Sequence, residues 1–210
     1  MNRTLRSIVV AAGAVLSLLA AMPPAATAQE WKPLLRMGID FGGDKLAEGD
    51  LIYGNTTTTE QIRANQFISF AGGAQWVDAS KKWYAEFSLG WKGDAINATN
   101  QQYRFYRYPL EVLGFYALPA PPWEGAVWRL GGGLTYHIHP ELSASGTYAN
   151  GNVRFHNELG GVVQTDILFP PGNVTQLGIG LRYTILTYEV AATGQKFSSN
   201  GLGIVFSLAF

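Results

Sequence analysis

The sequence contains no cysteine, so it can form neither a disulfide nor a thiolate metal site. Charge is scarce, at 14% of residues, and neither sign dominates, with 15 basic residues against 15 acidic ones. Without a basic excess the chain has no electrostatic footprint for nucleic acid, which is therefore not an expected partner. Past the N-terminal segment no apolar run approaches the roughly 20 residues that a membrane-spanning helix needs. Yet 13% of the residues are aromatic and 25 are glycine, an odd mixture for a water-soluble domain with so little charge. The apolar residues must be distributed in some way other than runs, and stability must come from packing and hydrogen bonding.

The N-terminus has its own pattern. Arg3 and Arg6 precede an apolar stretch from Ile8 to Ala21, Pro23 and Pro24 break it, and Ala26-Thr27-Ala28 places small residues before Gln29. This is the layout of a cleavable export signal, and the stretch is too short for an anchor helix. The expectation is a signal peptide over 1–28 and a single domain over 29–210.

Within that domain the apolar residues alternate, the period of a strand with two unlike faces. Eight such segments can be counted. Leu35, Met37, Ile39 and Phe41 oppose Arg36, Gly38, Asp40 and Gly42. Ile68, Phe70, Gly72, Ala74 and Trp76 oppose Ser69, Ala71, Gly73 and Gln75. The third segment is the cleanest, setting Trp83, Ala85, Phe87, Leu89 and Trp91 against Tyr84, Glu86, Ser88, Gly90 and Lys92. The fourth sets Tyr106, Tyr108, Leu110, Val112 and Tyr116 against Phe105, Arg107, Pro109, Glu111 and Leu113, with a bulge expected at the mid-strand Pro109. The fifth sets Trp128, Leu130, Leu134, Tyr136 and Ile138 against Arg129, Gly131, Gly133, Thr135 and His137. The sixth sets Leu159, Val163, Ile167 and Phe169 against Glu158, Gly160, Gln164 and Asp166. The seventh sets Leu177, Ile179, Leu181, Tyr183 and Ile185 against Gln176, Gly178, Gly180, Arg182 and Thr184. The eighth is Gly201 to Phe210, where Leu202, Ile204, Phe206, Leu208 and Phe210 alternate with small or modest residues.

Long polar connections, over 43–66, 93–103, 140–156 and 189–199, alternate with short ones. The aromatics sort with them. Trp76, Trp83, Tyr116, Trp128, Phe169 and Phe210 lie beside short turns or at the C-terminus, and Trp91, Tyr106, Tyr108, Tyr136 and Tyr183 lie beside long connections. All are on the apolar face. Two girdles of this kind fit rings seated at the two interfaces of a membrane. The fold class expected is all-β: an eight-stranded antiparallel transmembrane up-and-down barrel, meander in topology, with both termini periplasmic.

A soluble ligand-binding barrel would instead turn its apolar face inward. Its water-facing strands would carry Lys, Glu and Thr, whereas the polar face here is crowded with Gly, Ser and Ala. That face also carries balanced charges, Arg36, Lys92, Arg107, Arg129 and Arg182 against Asp40, Glu86, Glu111, Glu158 and Asp166. Balance is what a sealed interior demands, since an unpaired buried charge is costly. Arg36, Glu86, Arg129 and Asp166 fall at one height. Asp40, Glu111 and Arg182 fall at mid-height, with Lys92, Arg107 and Glu158 above them. Two stacked charge layers plugging the barrel are expected. The small residues Gly201, Gly203, Ser207 and Ala209 are expected to leave room for Arg36 and Arg182.

The whole stretch 31–210 resembles the small eight-stranded outer-membrane β-barrel proteins of Gram-negative bacteria. Gly203, Phe206, Leu208 and Phe210 resemble the C-terminal signal that such proteins present to the barrel-assembly machinery. The resemblance implies an outer-membrane location, contact with outer-membrane lipid and lipopolysaccharide, and a monomer. It is one of architecture, and three classes of function remain open under it. The first is a structural or surface-interaction role in the envelope, carried by the loops. The second is a narrow channel or conduit for small apolar molecules. The third is a lipid A-modifying enzyme.

For the third class the candidates are His137, His139 and Glu158, expected to share the inward face near the outer rim. The segment is similar to the rim motif of outer-membrane lipid A deacylases in its histidine only. That motif places Ser two residues on, followed by Asn, where this chain has His139 and then Pro140. Ser143 and Ser145 fall in an expected loop. The same three residues have the ligand types of a zinc site, but the expectation is rim histidines bonded to Glu158 and loop groups. No metal and no cofactor is expected. Asn55-Thr56-Thr57-Thr58-Thr59 reads as a polar, solvated connection.

Overall fold

The computed structural model describes residues 29–119, 122–147, 149–169 and 175–210. The expected signal peptide lies outside them. Thirteen strands follow in order: β1 (Glu30–Gly42), β2 (Lys45–Tyr53), β3 (Thr56–Arg63), β4 (Phe67–Val77), β5 (Trp83–Asn97), β6 (Gln101–Ala117), β7 (Val127–Gly146), β8 (Gly151–Arg154), β9 (Glu158–Phe169), β10 (Gln176–Ile185), β11 (Thr187–Glu189), β12 (Lys196–Ser198) and β13 (Gly201–Ala209). Eight of them, β1, β4, β5, β6, β7, β9, β10 and β13, pair antiparallel in meander order. The ring closes where β1 meets β13, from Leu34 opposite Ala209 to Gly42 opposite Gly201. Closure removes every open sheet edge from the barrel.

The alternation seen in the sequence is the alternation of burial. On β1, Arg36 and Asp40 are buried while Leu35, Met37, Ile39 and Phe41 are exposed. The same holds around the barrel, so the apolar face points out and the polar face points into the lumen.

The expected long connections are themselves largely strand. β5 and β6 continue past the segments read from the sequence and meet at a turn where Ala98 N–H donates to Gln101 O at 3.0 Å. β7 runs 20 residues, so Ser143 and Ser145 stand on a strand, not in a loop. Thr56 to Thr59 pair with Tyr53 to Asp50 in the β2–β3 hairpin. The bulge also lies elsewhere. Register between β5 and β6 is unchanged across Pro109, where the chain merely lacks an N–H to donate. The extra residue is on β7: Tyr106 faces Glu141 and Tyr108 faces Ile138, so His139 and Pro140 together oppose Arg107. His139 takes a φ of 52° to do so.

Two apolar clusters close the ends. At the hairpin end Leu51, Ile62, Ile96, Phe105, Leu142, Phe155 and Tyr188 pack with neighbouring apolar side chains from several hairpins. Polar bonds tie the same hairpins together: Ile52 N–H donates to Asn100 Oδ1 at 2.8 Å, Ser198 N–H to Asp44 Oδ2 at 2.7 Å, and His156 N–H to Glu189 O at 2.8 Å. At the short-turn end Tyr84, Leu113, Phe115, Val162 and Leu168 fill the lumen. There Asp78 accepts bonds from the Ser80 hydroxyl and from the N–H groups of Trp83 and Lys82, which hold its carboxyl below the usual range.

Space between facing strands is tight enough to require glycine at particular places. A Cβ on Gly133 would lie 2.0 Å from the backbone oxygen of Val112, whereas one on Gly114, which faces outward, would meet nothing within 4 Å. We expect Gly133→Ala to destabilise the protein by about 1–3 kcal/mol, as overpacking does. Gly114→Ala should stay within about 0.5 kcal/mol. Urea unfolding followed by tryptophan fluorescence measures both.

Candidate functional site

The lumen is crossed by ion pairs, all but one of them between strands that are not neighbours; the exception joins Arg129 and Asp166, which stand opposite each other on paired strands. Asp166 on β9 accepts from Arg129 on β7, at 3.0 Å to Nε and 2.7 Å to Nη2. Arg129 also pairs with Glu86 on β5, and Glu86 pairs in turn with Arg36 on β1. Arg36 reaches Glu111 on β6 at 2.7 Å, and Glu111 holds Arg182 of β10 at 2.6 Å. The lower expected layer is thus joined to Glu111 and Arg182 of the upper one in a single chain, Asp166–Arg129–Glu86–Arg36–Glu111–Arg182, with Arg36 as the joint. Gln75 donates to Glu86 at 3.0 Å and Gln164 to Asp166 at 2.8 Å, occupying carboxylate lone pairs that the arginines leave. Arg129 also lies 4.1 Å over the Phe115 ring, anchoring the chain on the lower apolar cluster.

Above this chain Lys92 pairs with Asp40 at 2.9 Å and donates to Asn65. Arg107 is fully buried, donates to Ala64 O at 3.0 Å and sits 4.5 Å over the Phe105 ring. Glu158, expected in this set, stands apart. It is half-buried opposite His137 in register and makes no ion pair among the described residues. The fifth buried carboxylate of the lumen is Asp94, 7% exposed. It continues the inward face Glu86, Ser88, Gly90, Lys92 by one more step, a signal present in the sequence but hidden by the reading of 93–103 as a loop. The room left by Gly203 serves Asp40 and Arg182: a Cβ there would lie 2.3 Å from Asp40 Oδ1 and 3.1 Å from Arg182 Cγ. Arg36 instead faces Ser207.

Between the chain and the Lys92–Asp40 pair lies a cavity of about 30 Å³ bordered by Asp40, Lys92, Glu111, His137 and Arg182. That is space for about two waters.

The histidines do not assemble. His137 is buried in the lumen with Nδ1 2.5 Å from the Tyr188 hydroxyl. The bulge turns His139 to the outside, where it stacks on Tyr106 and lies 3.4 Å from Glu141. The expectation that both share the inward face is therefore corrected: one inserted residue shifts the side-chain period and reverses the face. His156 is exposed on the segment after β8. Among the described residues no group of three or more His, Cys, Asp or Glu could hold a metal ion.

The outward aromatics take their places around the barrel. Trp83 packs on Tyr116 with ring centroids 4.8 Å apart, Trp128 donates to Thr165 Oγ1 at 2.8 Å, and Phe169 stacks on Trp123. Trp76 faces Trp31, and Phe210 is exposed at the end of β13. Trp91, Tyr108 and Tyr183 are exposed near the other end, with Tyr106 and Tyr136 half-buried beside them. Trp31 and Trp123 join the lower ring unannounced by the sequence. Trp31 precedes the first alternating segment, and Trp123 belongs to a Pro-rich turn. Of the C-terminal set, Gly203 faces the lumen, Phe206 and Phe210 are exposed outside, and Leu208 is half-buried.

No protein-family model and no curated protein matches the sequence. Among solved structures, neisserial surface protein A (NspA) superposes with a TM-score of 0.51 and 11% identity, over 87% of this chain and 97% of NspA. The fold is that of the small eight-stranded outer-membrane β-barrels. Ail of Yersinia pestis (TM-score 0.47, 8% identity, 88% of this chain and 99% of Ail) and the outer membrane protein AlkL (0.47, 13%, 90% and 94%) are also similar.

Glu86 serves two arginines at once and is fully buried. Glu86→Gln should cost about 3–5 kcal/mol, the loss expected when a buried charge is left uncompensated. Glu158→Gln should cost less than about 0.5 kcal/mol. Equilibrium unfolding in urea reads both.

Proposed function

We propose that this chain is an integral outer-membrane barrel whose interior is filled by its own side chains, and whose role in the envelope is structural and surface-facing. The observation that carries this reading is the inversion of the barrel. The outward face is apolar between two aromatic bands, and the inward face carries a connected chain of five ion pairs with the separate Lys92–Asp40 pair above it. Hydrocarbon outside and paired charge inside satisfy both faces, whereas water outside would leave the exposed Leu, Ile, Phe and Trp side chains unburied. Export by residues 1–28, periplasmic termini, and a monomer inserted by the barrel-assembly machinery through Gly203, Phe206, Leu208 and Phe210 belong to the same reading.

The hairpin end supports a surface-facing role. Its hairpins pack on one another around the apolar cluster and so present a shaped surface, not free loops. The enzymatic alternative loses its support in the geometry, since His137 bonds to Tyr188 in the lumen and His139 faces away from it. The conduit alternative would need a path past Arg36, Glu111 and Arg182.

Refolding into phospholipid vesicles tests the reading. The folded protein should migrate faster than the boiled protein on a denaturing gel and should show no stepwise conductance in planar bilayers. Steps should appear once Glu111→Ala and Arg182→Ala are combined. Steady conductance in the unaltered protein, unchanged in the double variant, would overturn the filled interior.

A further inference from the structure

On the outer face of β4, β5 and β6, towards the hairpin end, lies an apolar trough of about 460 Å³. Its floor is small: Gly93 stands opposite Tyr106 and Ala95 opposite Arg104. Trp91 leans over it, for a Cβ on Gly93 would lie 2.3 Å from that ring. Phe70 borders it on the β4 side, and Tyr106 and Tyr108 on the β6 side. The trough therefore begins in the upper aromatic band and runs from it towards the hairpins.

Arg104 stands at its head. It is exposed and makes no ion pair among the described residues. The nearby acid, Glu141, is already engaged: Tyr106 Oη and Asn152 Nδ2 donate to it at 3.0 Å each, and Arg154 Nε donates at 3.0 Å. The side chain of Arg154 is itself 70% exposed. An uncompensated guanidinium thus sits above an apolar trough at the depth where aromatic rings mark a lipid headgroup region.

We propose that this trough holds an anionic lipid bearing a phosphomonoester, in the leaflet that the hairpin end faces. One acyl chain lies along Ala95 and against the Trp91 ring that covers Gly93, and the phosphate meets Arg104. The inference rests on the membrane reading above. Hydrocarbon surrounds the trough in that setting, so an acyl chain is the filling at hand. A guanidinium with no carboxylate partner matches a phosphate through two parallel N–H donors, and juxtamembrane cations gain from anionic lipid.

The test uses the full chain refolded into phosphatidylcholine vesicles doped with lipid A, either bis-phosphorylated or dephosphorylated. Only preparations that show the folded gel shift are taken forward, so a failure to bind lipid is distinct from a failure to enter the bilayer. Native mass spectrometry after mild detergent extraction counts the lipid retained. One bis-phosphorylated molecule should be retained, with the dephosphorylated form held about tenfold less. Arg104→Gln should bring the two forms level, and Ala95→Leu, which fills the trough, should lower both. Equal retention of the two forms by the unaltered protein, or unchanged selectivity in Arg104→Gln, would overturn the proposal. So would displacement of lipid A by inorganic phosphate alone, or a lipid-free dimer, which would assign the trough to a second copy of the chain.

Discussion

Arg36 serves two carboxylates on facing strands, and much of the barrel is arranged around that bond pattern. It reaches across the lumen from β1 to Glu86 on β5 and to Glu111 on β6. Either carboxylate without it would be a buried charge short of a partner, at a cost of several kcal/mol. The other arginines follow from the same demand, because Glu86 and Glu111 each need a second cation, supplied by Arg129 and Arg182. So do particular glycines. A Cβ on Gly180 would lie 2.0 Å from Asp166 Oδ1, which the chain of pairs holds in place. Side chains long enough to cross a narrow barrel require strands that give up volume beside them.

The apolar clusters at the two ends complete this arrangement. Phe115 lies beneath Arg129, and Phe105 lies beside Arg107. Both shield guanidinium groups from water and so strengthen the electrostatic interactions between them and their partners. At the hairpin end the cluster also links loops to lumen, since Tyr188 of β11 meets both Phe105 and His137. The hairpins are therefore part of the folded body, and any partner that they engage meets a surface set by that packing.

The barrel itself was legible in the sequence because its signal has a period of two and repeats eight times. The direction of its faces was legible from the company that Arg36, Glu111 and Arg182 keep: small residues, not the Lys and Glu of a wet surface. What the period could not convey is what interrupts it. One inserted residue at His139 reverses the face, and nothing in Tyr136-His137-Ile138-His139-Pro140 marks where the insertion falls. Asp94 was lost to the assumption that a polar stretch is a loop, although β5 keeps its alternation through it. The hairpin-end cluster is harder still. Ile62 and Phe155 are isolated within polar stretches, Leu51 and Tyr188 lie outside the eight alternating segments, and the four become a core only when separate hairpins converge. Contacts of that kind leave no local pattern.

The central claim is that six luminal charges, from Asp166 to Arg182, act as one coupled chain through Arg36, and a double-mutant cycle tests it most directly. Arg36→Leu, Glu111→Leu and the combination would each be unfolded in urea from the same vesicles. The account predicts that the two losses are not additive, with a coupling of about 2 kcal/mol between the positions, within the range for residues sharing one network. Losses that simply add would show that Arg36 and Glu111 act independently, and would contradict a barrel interior organised by that bond.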